Sequence, residues 1–218
     1  PYPAEVPSAA FPIPDMYHGS RLEPKGFSRA HHLFLPRAAH ALAALWRKTH
    51  AIADPETRRM VVWFVEQAIW SMSLLNRYRP TGYSQVSQYL TGVYYVPSQT
   101  AELSPWCILF DPEKRTTKVG RIAKSFTPMP SCAAGAVIQT GDCASISIPN
   151  KSIDYIFTDP PFGENIYYAD LNFLVEAWHG VTTATANEAI VDQAKKKGVH
   201  EYQELMRRCF EEYHRVLK

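Results

Sequence analysis

Four consecutive residues, Asp159-Pro160-Pro161-Phe162, combine groups that could hold a poorly nucleophilic amine for reaction. An exocyclic amino nitrogen of a nucleobase is such an amine, because its lone pair is delocalised into the ring. A carboxylate that accepts an N–H hydrogen bond favours the configuration in which the lone pair points at an electrophile. The two prolines fix φ and prevent immediate helix formation, which leaves the Pro160 carbonyl free as a second acceptor. The Phe162 ring offers a stacking face to a flipped base, worth about 1–3 kcal/mol.

The elements around this motif predict that it lies at the end of a β-strand. The apolar run 152–158 precedes it, and a shorter run, 136–139, precedes Gly141-Asp142, which comes 17 residues before Asp159. Helical patterns follow at about 168–178 and about 200–217. Two strands followed by two helices predict the α/β class, as part of a doubly wound sheet, where ligands bind at the carboxyl ends of strands.

Both short motifs also have an ordinary interpretation as turns. Asp-Pro begins turns elsewhere in this chain, at Asp54-Pro55 and Asp111-Pro112, and Gly-Asp alone is typical of a turn. The preceding apolar strand, the upstream Gly141-Asp142 and the aromatic helix that follows favour the chemical interpretation of Asp159.

The segment Thr158-Asp159-Pro160-Pro161-Phe162-Gly163 resembles motif IV of the S-adenosylmethionine-dependent amino methyltransferases that act on adenine N6 or cytosine N4. Gly141-Asp142 resembles motif III of the same family. Residues 164–171 and the region 27–98 are similar to the large prokaryotic adenine-specific DNA methylases, so the resemblance covers most of the chain.

The resemblance implies a partial Rossmann-like methyltransferase sheet preceded by a helical insertion and a small β segment. It implies methyl transfer from S-adenosylmethionine to an exocyclic amino group of a flipped base in duplex DNA, adenine N6 first and cytosine N4 next. The expected catalytic residues are Asp159, Pro160, Pro161 and Phe162; the cofactor-binding residues are Asp142 and Cys143; the substrate-binding residues are Asn165, Tyr167, Tyr168 and Arg77. Core packing is an equal alternative for the two tyrosines, as is solvated surface for Arg77.

The sequence also departs from the pattern of a complete enzyme of this family. Its ten glycines include no Gly-x-Gly, although the family has a glycine-rich motif I around the cofactor. We expect motif I upstream of Pro1 and further strands after Lys218, in segments of a parent protein that this fragment would need as partners for activity. Two other functions stay open: methylation of RNA bases or of a protein glutamine, and a non-catalytic nucleic-acid-binding module derived from a methylase.

The rest of the chain predicts three regions. Residues 1–25 form a Pro-rich linker or arm, residues 26–130 a helical and β-hairpin insertion with a possible nucleic-acid surface, and residues 131–218 the partial catalytic domain. Helices are expected from Pro36 to about His50 and from Asp54-Pro55 to near Asn76. The β-rich runs are 93–96 and 106–110, and residues 195–197 are expected to form an exposed loop.

Composition excludes several classes of protein. The 218 residues contain 46% hydrophobic and 20% charged residues and no long apolar run, so we expect a cytoplasmic globular protein. Residues 1–125 carry 15 Lys/Arg against 9 Asp/Glu, which permits a polyanionic partner or an ordinary solvated surface. The four scattered cysteines and the His31-His32 pair predict neither a disulfide framework nor a metal site.

Overall fold

The computed structural model describes residues 1–16, 22–86, 94–110, 135, 137–164 and 166–218. Its helices are α1 (Pro36–His50), α2 (Pro55–Glu66), α3 (Pro105–Leu109), α4 (Tyr168–His179) and α5 (Val199–Val216), with short 3₁₀ turns at Ile13–Asp15, Glu23–Lys25, Ala30–Leu33 and Thr185–Asn187. Its strands are β1 (Asn76–Arg79) and β2 (Tyr83–Val86), which form a two-stranded antiparallel sheet. The described fold is therefore a mixture of helices and a small sheet.

The helix starts follow the capping chemistry of the sequence. Pro36 and Pro55 occupy first-turn positions, and the Asp54 carboxylate accepts a 2.7 Å hydrogen bond from the Thr57 N–H. The predicted bounds of α1 are confirmed. The predicted end of α2 near Asn76 is wrong, because residues 67–69 donate to carbonyls three residues back and the helix tightens into turns after Glu66. The apolar side chains of residues 68, 69, 72 and 75 stay buried, since such turns also keep them on one face.

Residues 106–109 of the run 106–110 are helical, although the composition of the run predicts a strand. Ser104 caps the helix, its hydroxyl oxygen accepting from the Cys107 N–H at 3.3 Å, and Pro105 follows in the first turn. These start signals outweigh the β propensity of the aromatic and branched residues. Val93 and residues 111–134 lie outside the described residues, so the other β-rich run is described only from Tyr94 onward.

The observed hairpin lies earlier in the chain than the predicted one. β1 and β2 pair with Arg77 opposite Gln85 and Arg79 opposite Tyr83. The turn between them includes Gly82 at φ 89°, followed by Tyr83 at φ 64°. Glycine adopts this left-handed region freely, whereas a tyrosine is strained in it.

The strands predicted before the two motifs do not form a sheet within the described residues. Residues 137–140 and 154–160 have no strand assignment, and Ala136 lies outside the described ranges. Ile153 alone makes a bridge, parallel to Leu217, supported by the Ile153 N–H donating to the Val216 carbonyl at 3.0 Å. A β-strand is defined by backbone hydrogen bonds to a neighbouring strand, and among the described residues no strand pairs with these two segments.

The core joins the front and the back of the chain. The Phe11 ring lies 5.2 Å from Tyr94 and 5.1 Å from Phe173, and Trp46 meets Trp178 at 5.4 Å between ring centroids. The buried Tyr94 hydroxyl accepts a 2.9 Å hydrogen bond from the Leu174 N–H, which fixes α4. The helix that follows the motif is thus held by residues far away in sequence. Within the described ranges, every helix is too short or too polar to span a bilayer.

Candidate functional site

A cavity of about 750 Å³ opens beside the motif, within the size range of ligand pockets. It is lined by residues from 140–143, 158–161 and 181–190 and by side chains of α4 and α5. Asp142, Cys143, Asp159, Pro160, Pro161 and Tyr168 all line it. The structure therefore brings together the predicted catalytic carboxylate and the predicted cofactor-binding pair.

The two acceptors of the motif are available to a ligand. Within the described part of the chain, neither the exposed Asp159 carboxylate nor the Pro160 carbonyl has a hydrogen-bond partner. The next carbonyl, that of Pro161, accepts a 2.7 Å hydrogen bond from the Tyr202 hydroxyl on α5. Gly163 follows at φ 67°, and its carbonyl accepts from the Val191 N–H at 3.3 Å. The loop is therefore anchored on the far side of the two free acceptors.

Phe162 opens onto a different depression. Its ring is 71% exposed and lines a groove of about 720 Å³ with Tyr202, Met206 and Phe210 of α5. Pro160, Pro161 and Met206 line both the groove and the cavity. Asp159 lines only the cavity and Phe162 only the groove, so the motif contributes to two neighbouring depressions.

The Asp142 turn is fixed to the last helix by charged hydrogen bonds. Asp142 accepts from the Ala144 N–H at 2.8 Å, and the Arg215 guanidinium donates to the carbonyls of Ile146 and Ile148 at 2.8 and 2.9 Å. The Glu212 carboxylate accepts from Arg215 and, at 3.0 Å, from the Ile146 N–H. The hydrogen bond from Arg215 is the main reason that the pKa of Glu212 falls from 4.5 to about 2.

The predicted substrate-binding residues that the structure describes lie in three different parts of it. Tyr168, at the start of α4, is half-exposed and lines the cavity, whereas Tyr167 is buried in the core beside Glu164. Arg77 lies on β1, where it donates to Gln85, and is not among the cavity-lining residues. Asn165 lies outside the described residues.

The structure adds an ionic cluster that the sequence pattern missed. The Lys195 side chain is only 7% exposed, and its Nζ donates to Asp170 at 2.9 Å and to Asp192 at 2.7 Å, both of them buried. The expectation of an exposed loop at residues 195–197 is therefore wrong for Lys195. Burial alone would lower the pKa of Lys195, but hydrogen bonds from it to Asp192 and Asp170 hold that pKa above its ordinary value.

Glu188 belongs to the same region and lines the cavity. Its Oε1 accepts from the Ala169 N–H at 3.0 Å, and burial raises the pKa of its carboxyl. It therefore caps the first turn of α4, for which Tyr167 supplies no side-chain cap. Glu188 lies 19 residues after Ala169, so a local sequence pattern cannot predict that it caps α4.

A scan against protein-family models, a search of curated proteins and a search of solved structures found no match for this chain.

Proposed function

We propose that this chain carries the amine-holding part of an S-adenosylmethionine-dependent methyltransferase that modifies an exocyclic amino group of a base in DNA. Adenine N6 is the preferred target and cytosine N4 the alternative. The observation that carries the proposal is the pair of unengaged acceptors, the Asp159 carboxylate and the Pro160 carbonyl, beside a cavity that also reaches Asp142.

The two acceptors have a direct chemical use. Asp159 accepts one N–H of the target amine and the Pro160 carbonyl accepts the other, so the nitrogen lone pair is turned out of the plane of the ring. The cofactor, when bound, supplies an electrophilic methyl group on a sulfonium sulfur. The Tyr202 hydroxyl keeps the Pro161 carbonyl occupied and thereby orients the neighbouring acceptor.

The residues present fit one end of this cofactor. Asp142 lies at the cavity edge and would accept a hydrogen bond from the amino group of the cofactor's adenine, beside the exposed Cys143 thiol. A glycine-rich cradle for the methionine end is absent from the sequence, whose ten glycines include no Gly-x-Gly. We infer that other segments of a longer protein supply this cradle.

The fold proposed for this region is part of a Rossmann-like sheet. The parallel bridge between Ile153 and Leu217 supports it, because the connection between the two residues contains α4 and α5. Parallel pairing across a helical connection is the βαβ arrangement from which such sheets are built. We also propose that the protein is located in the cytoplasm.

The experiment compares labelled methyl transfer to DNA, RNA and protein by the protein that carries this chain. Asp159→Ala is expected to lower transfer to DNA by at least about 100-fold, the scale for removing one preorganised polar contact. Asp154→Ala is the matched control, because its exposed carboxylate pairs with Lys218 outside the cavity. Equal transfer by both variants would contradict the role of Asp159, and label in RNA or glutamine instead of DNA would contradict the substrate.

A further inference from the structure

The β1–β2 hairpin holds two arginines side by side, and neither has an acidic partner among the described residues. Arg77 Nη2 and Arg79 Nη1 donate to the same atom, the Gln85 side-chain oxygen, at 2.7 and 3.0 Å. Arg77 and Arg79 lie two residues apart on one strand, so their side chains project from the same face. Like charges in neighbouring positions repel, and a neutral amide oxygen offsets little of that repulsion.

No acidic residue relieves the repulsion within the described part of the chain. Neither guanidinium forms an ion pair there, and residues 76–101 contain no aspartate or glutamate. The Arg77 Nε is buried and has no hydrogen-bond partner among the described residues. A buried, unpaired donor on a cation is costly, so Arg77 is not fully satisfied by its contacts within the described residues. An anionic group that accepts from the accessible N–H groups of the two arginines would offset their mutual repulsion.

The hairpin also presents aromatic rings to solvent. Tyr78 and Tyr83 are both exposed and meet edge to face, with 5.8 Å between ring centroids. Tyr83 keeps this position in spite of its left-handed backbone, at φ 64°. Strained residues persist where surrounding structure or function fixes them. Tyr83 lies opposite Arg79 in the strand register, and an exposed aromatic ring near guanidinium groups matches the phosphates and sugars of a nucleic acid.

We propose that Arg77 and Arg79 form a phosphate-binding notch on the β1–β2 hairpin, which grips the backbone of duplex DNA. This inference rests on the nucleic-acid substrate proposed above. The hairpin contacts carry no sequence information; they hold the duplex while the cavity acts on one base.

The decisive variant is Gln85→Glu. A carboxylate at this position would accept charge-assisted hydrogen bonds from both arginines and strengthen the hairpin, but it would occupy and neutralise the notch. Arg79→Gln removes one exposed cation, and Arg59→Gln, on α2, is the matched control, because the Arg59 side chain donates to the Pro55 carbonyl of its own helix.

The measurement is the affinity of the 218-residue chain for a short fluorescent DNA duplex of random sequence, across a series of salt concentrations. Each phosphate contact adds about 0.9 to the slope of log affinity against log salt concentration. We expect the slope to shrink by about one in Arg79→Gln and about two in Gln85→Glu, and to stay unchanged in Arg59→Gln.

Thermal unfolding of the same variants separates binding from folding. Gln85→Glu is expected to unfold at the same or a higher temperature while it loses affinity for DNA. If it is stabilised and its salt slope is that of the parent chain, the arginines serve only the hairpin and the inference is overturned. DNA affinity can be measured without methyl transfer, so the two proposals can fail separately. If the hairpin variants bind DNA like the parent chain while Asp159→Ala loses methyl transfer, the role of the hairpin is wrong and the proposed function stands.

Discussion

The Tyr202 hydroxyl donates a 2.7 Å hydrogen bond to the Pro161 carbonyl and ties the motif loop to α5. Tyr202 lies one helical turn from Met206, and both line the groove that Phe162 enters. Among the described residues the Pro160 carbonyl has no hydrogen-bond partner, so α5 occupies only the second of the two proline carbonyls.

Replacement of Tyr202 by Phe removes this contact and keeps the ring. We expect the free energy of unfolding to fall by about 0.5–1.5 kcal/mol, the usual net value of one hydrogen bond. Backbone amides of residues 162–164 are expected to exchange faster with solvent, as followed by hydrogen exchange. Tyr155→Phe is the control, because that hydroxyl belongs to an exposed side chain. Equal exchange at residues 162–164 in the two variants would show that the hydroxyl does not anchor the loop.

Phe162 provides a second test of the motif. Phe162→Tyr keeps the aromatic face and is expected to be tolerated, whereas Phe162→Ala should weaken binding of a flipped base by about 1–3 kcal/mol. The measurement is the affinity of the protein that carries this chain for a duplex with a mismatched target base. Similar affinities for the Ala and Tyr variants would exclude stacking by this ring, and the position of Phe162 in the groove would then be its only role.

Local sequence signals predicted those parts of the fold that local chemistry controls. The bounds of α1, α4 and α5 match the expected ones closely, because Pro36 and the apolar spacing of each helix act within a few residues. The same logic fails for α2, whose apolar face continues through tighter turns. Strands depend on partners elsewhere, so residues 153–158 look like a strand in sequence and make one bridge in the described structure.

The sequence predicted Asp142 and Asp159 at the ends of two strands. Those strands do not form within the described residues, yet both side chains line one cavity. The separate position of Phe162 was not predictable, since it depends on how α5 packs against the prolines. Lys195 looks like surface because it begins a run of three lysines; its burial depends on Asp170, 25 residues earlier.

Lys195 therefore gives a prediction about stability. Lys195→Met keeps the aliphatic stem but leaves the Asp170 and Asp192 carboxylates buried without their shared cation. Loss of one partner of a buried ionic cluster costs about 3–5 kcal/mol. Lys196→Met is the matched control, because Lys196 is exposed. Chemical denaturation measures both variants, and similar midpoints would show that the cluster adds nothing to stability.

Glu212 predicts how the Asp142 turn responds to acid. Its folded pKa of about 2 is below the ordinary value of 4.5, so its stabilising contribution is complete above about pH 4.5 and is lost as the pH falls towards 2. The protection factors of the Ala144 and Ile146 amides, which are exchange rates corrected for the intrinsic effect of pH, should therefore fall over this interval. Glu212→Gln is expected to show fast exchange at neutral pH and little further change in acid. If the parent chain and Glu212→Gln respond to acid in the same way, another titratable group causes the response.

The last prediction concerns cofactor binding by the 218-residue chain. A Rossmann-type pocket needs a glycine-rich first turn so that the backbone can approach the ligand closely, and this sequence has no Gly-x-Gly. The extended segments beside the cavity also expose apolar side chains: Val137 and Ile138 by 90% and 97%, Tyr155 and Phe157 by 76% and 85%. Exposed apolar segments with unpaired backbone edges promote association between chains. We therefore expect weak or undetectable binding of S-adenosylmethionine in calorimetric titration, and self-association in light scattering. Tight binding of the cofactor by a monomer would show that residues 140–143 and 158–161 build a sufficient pocket without a glycine-rich turn.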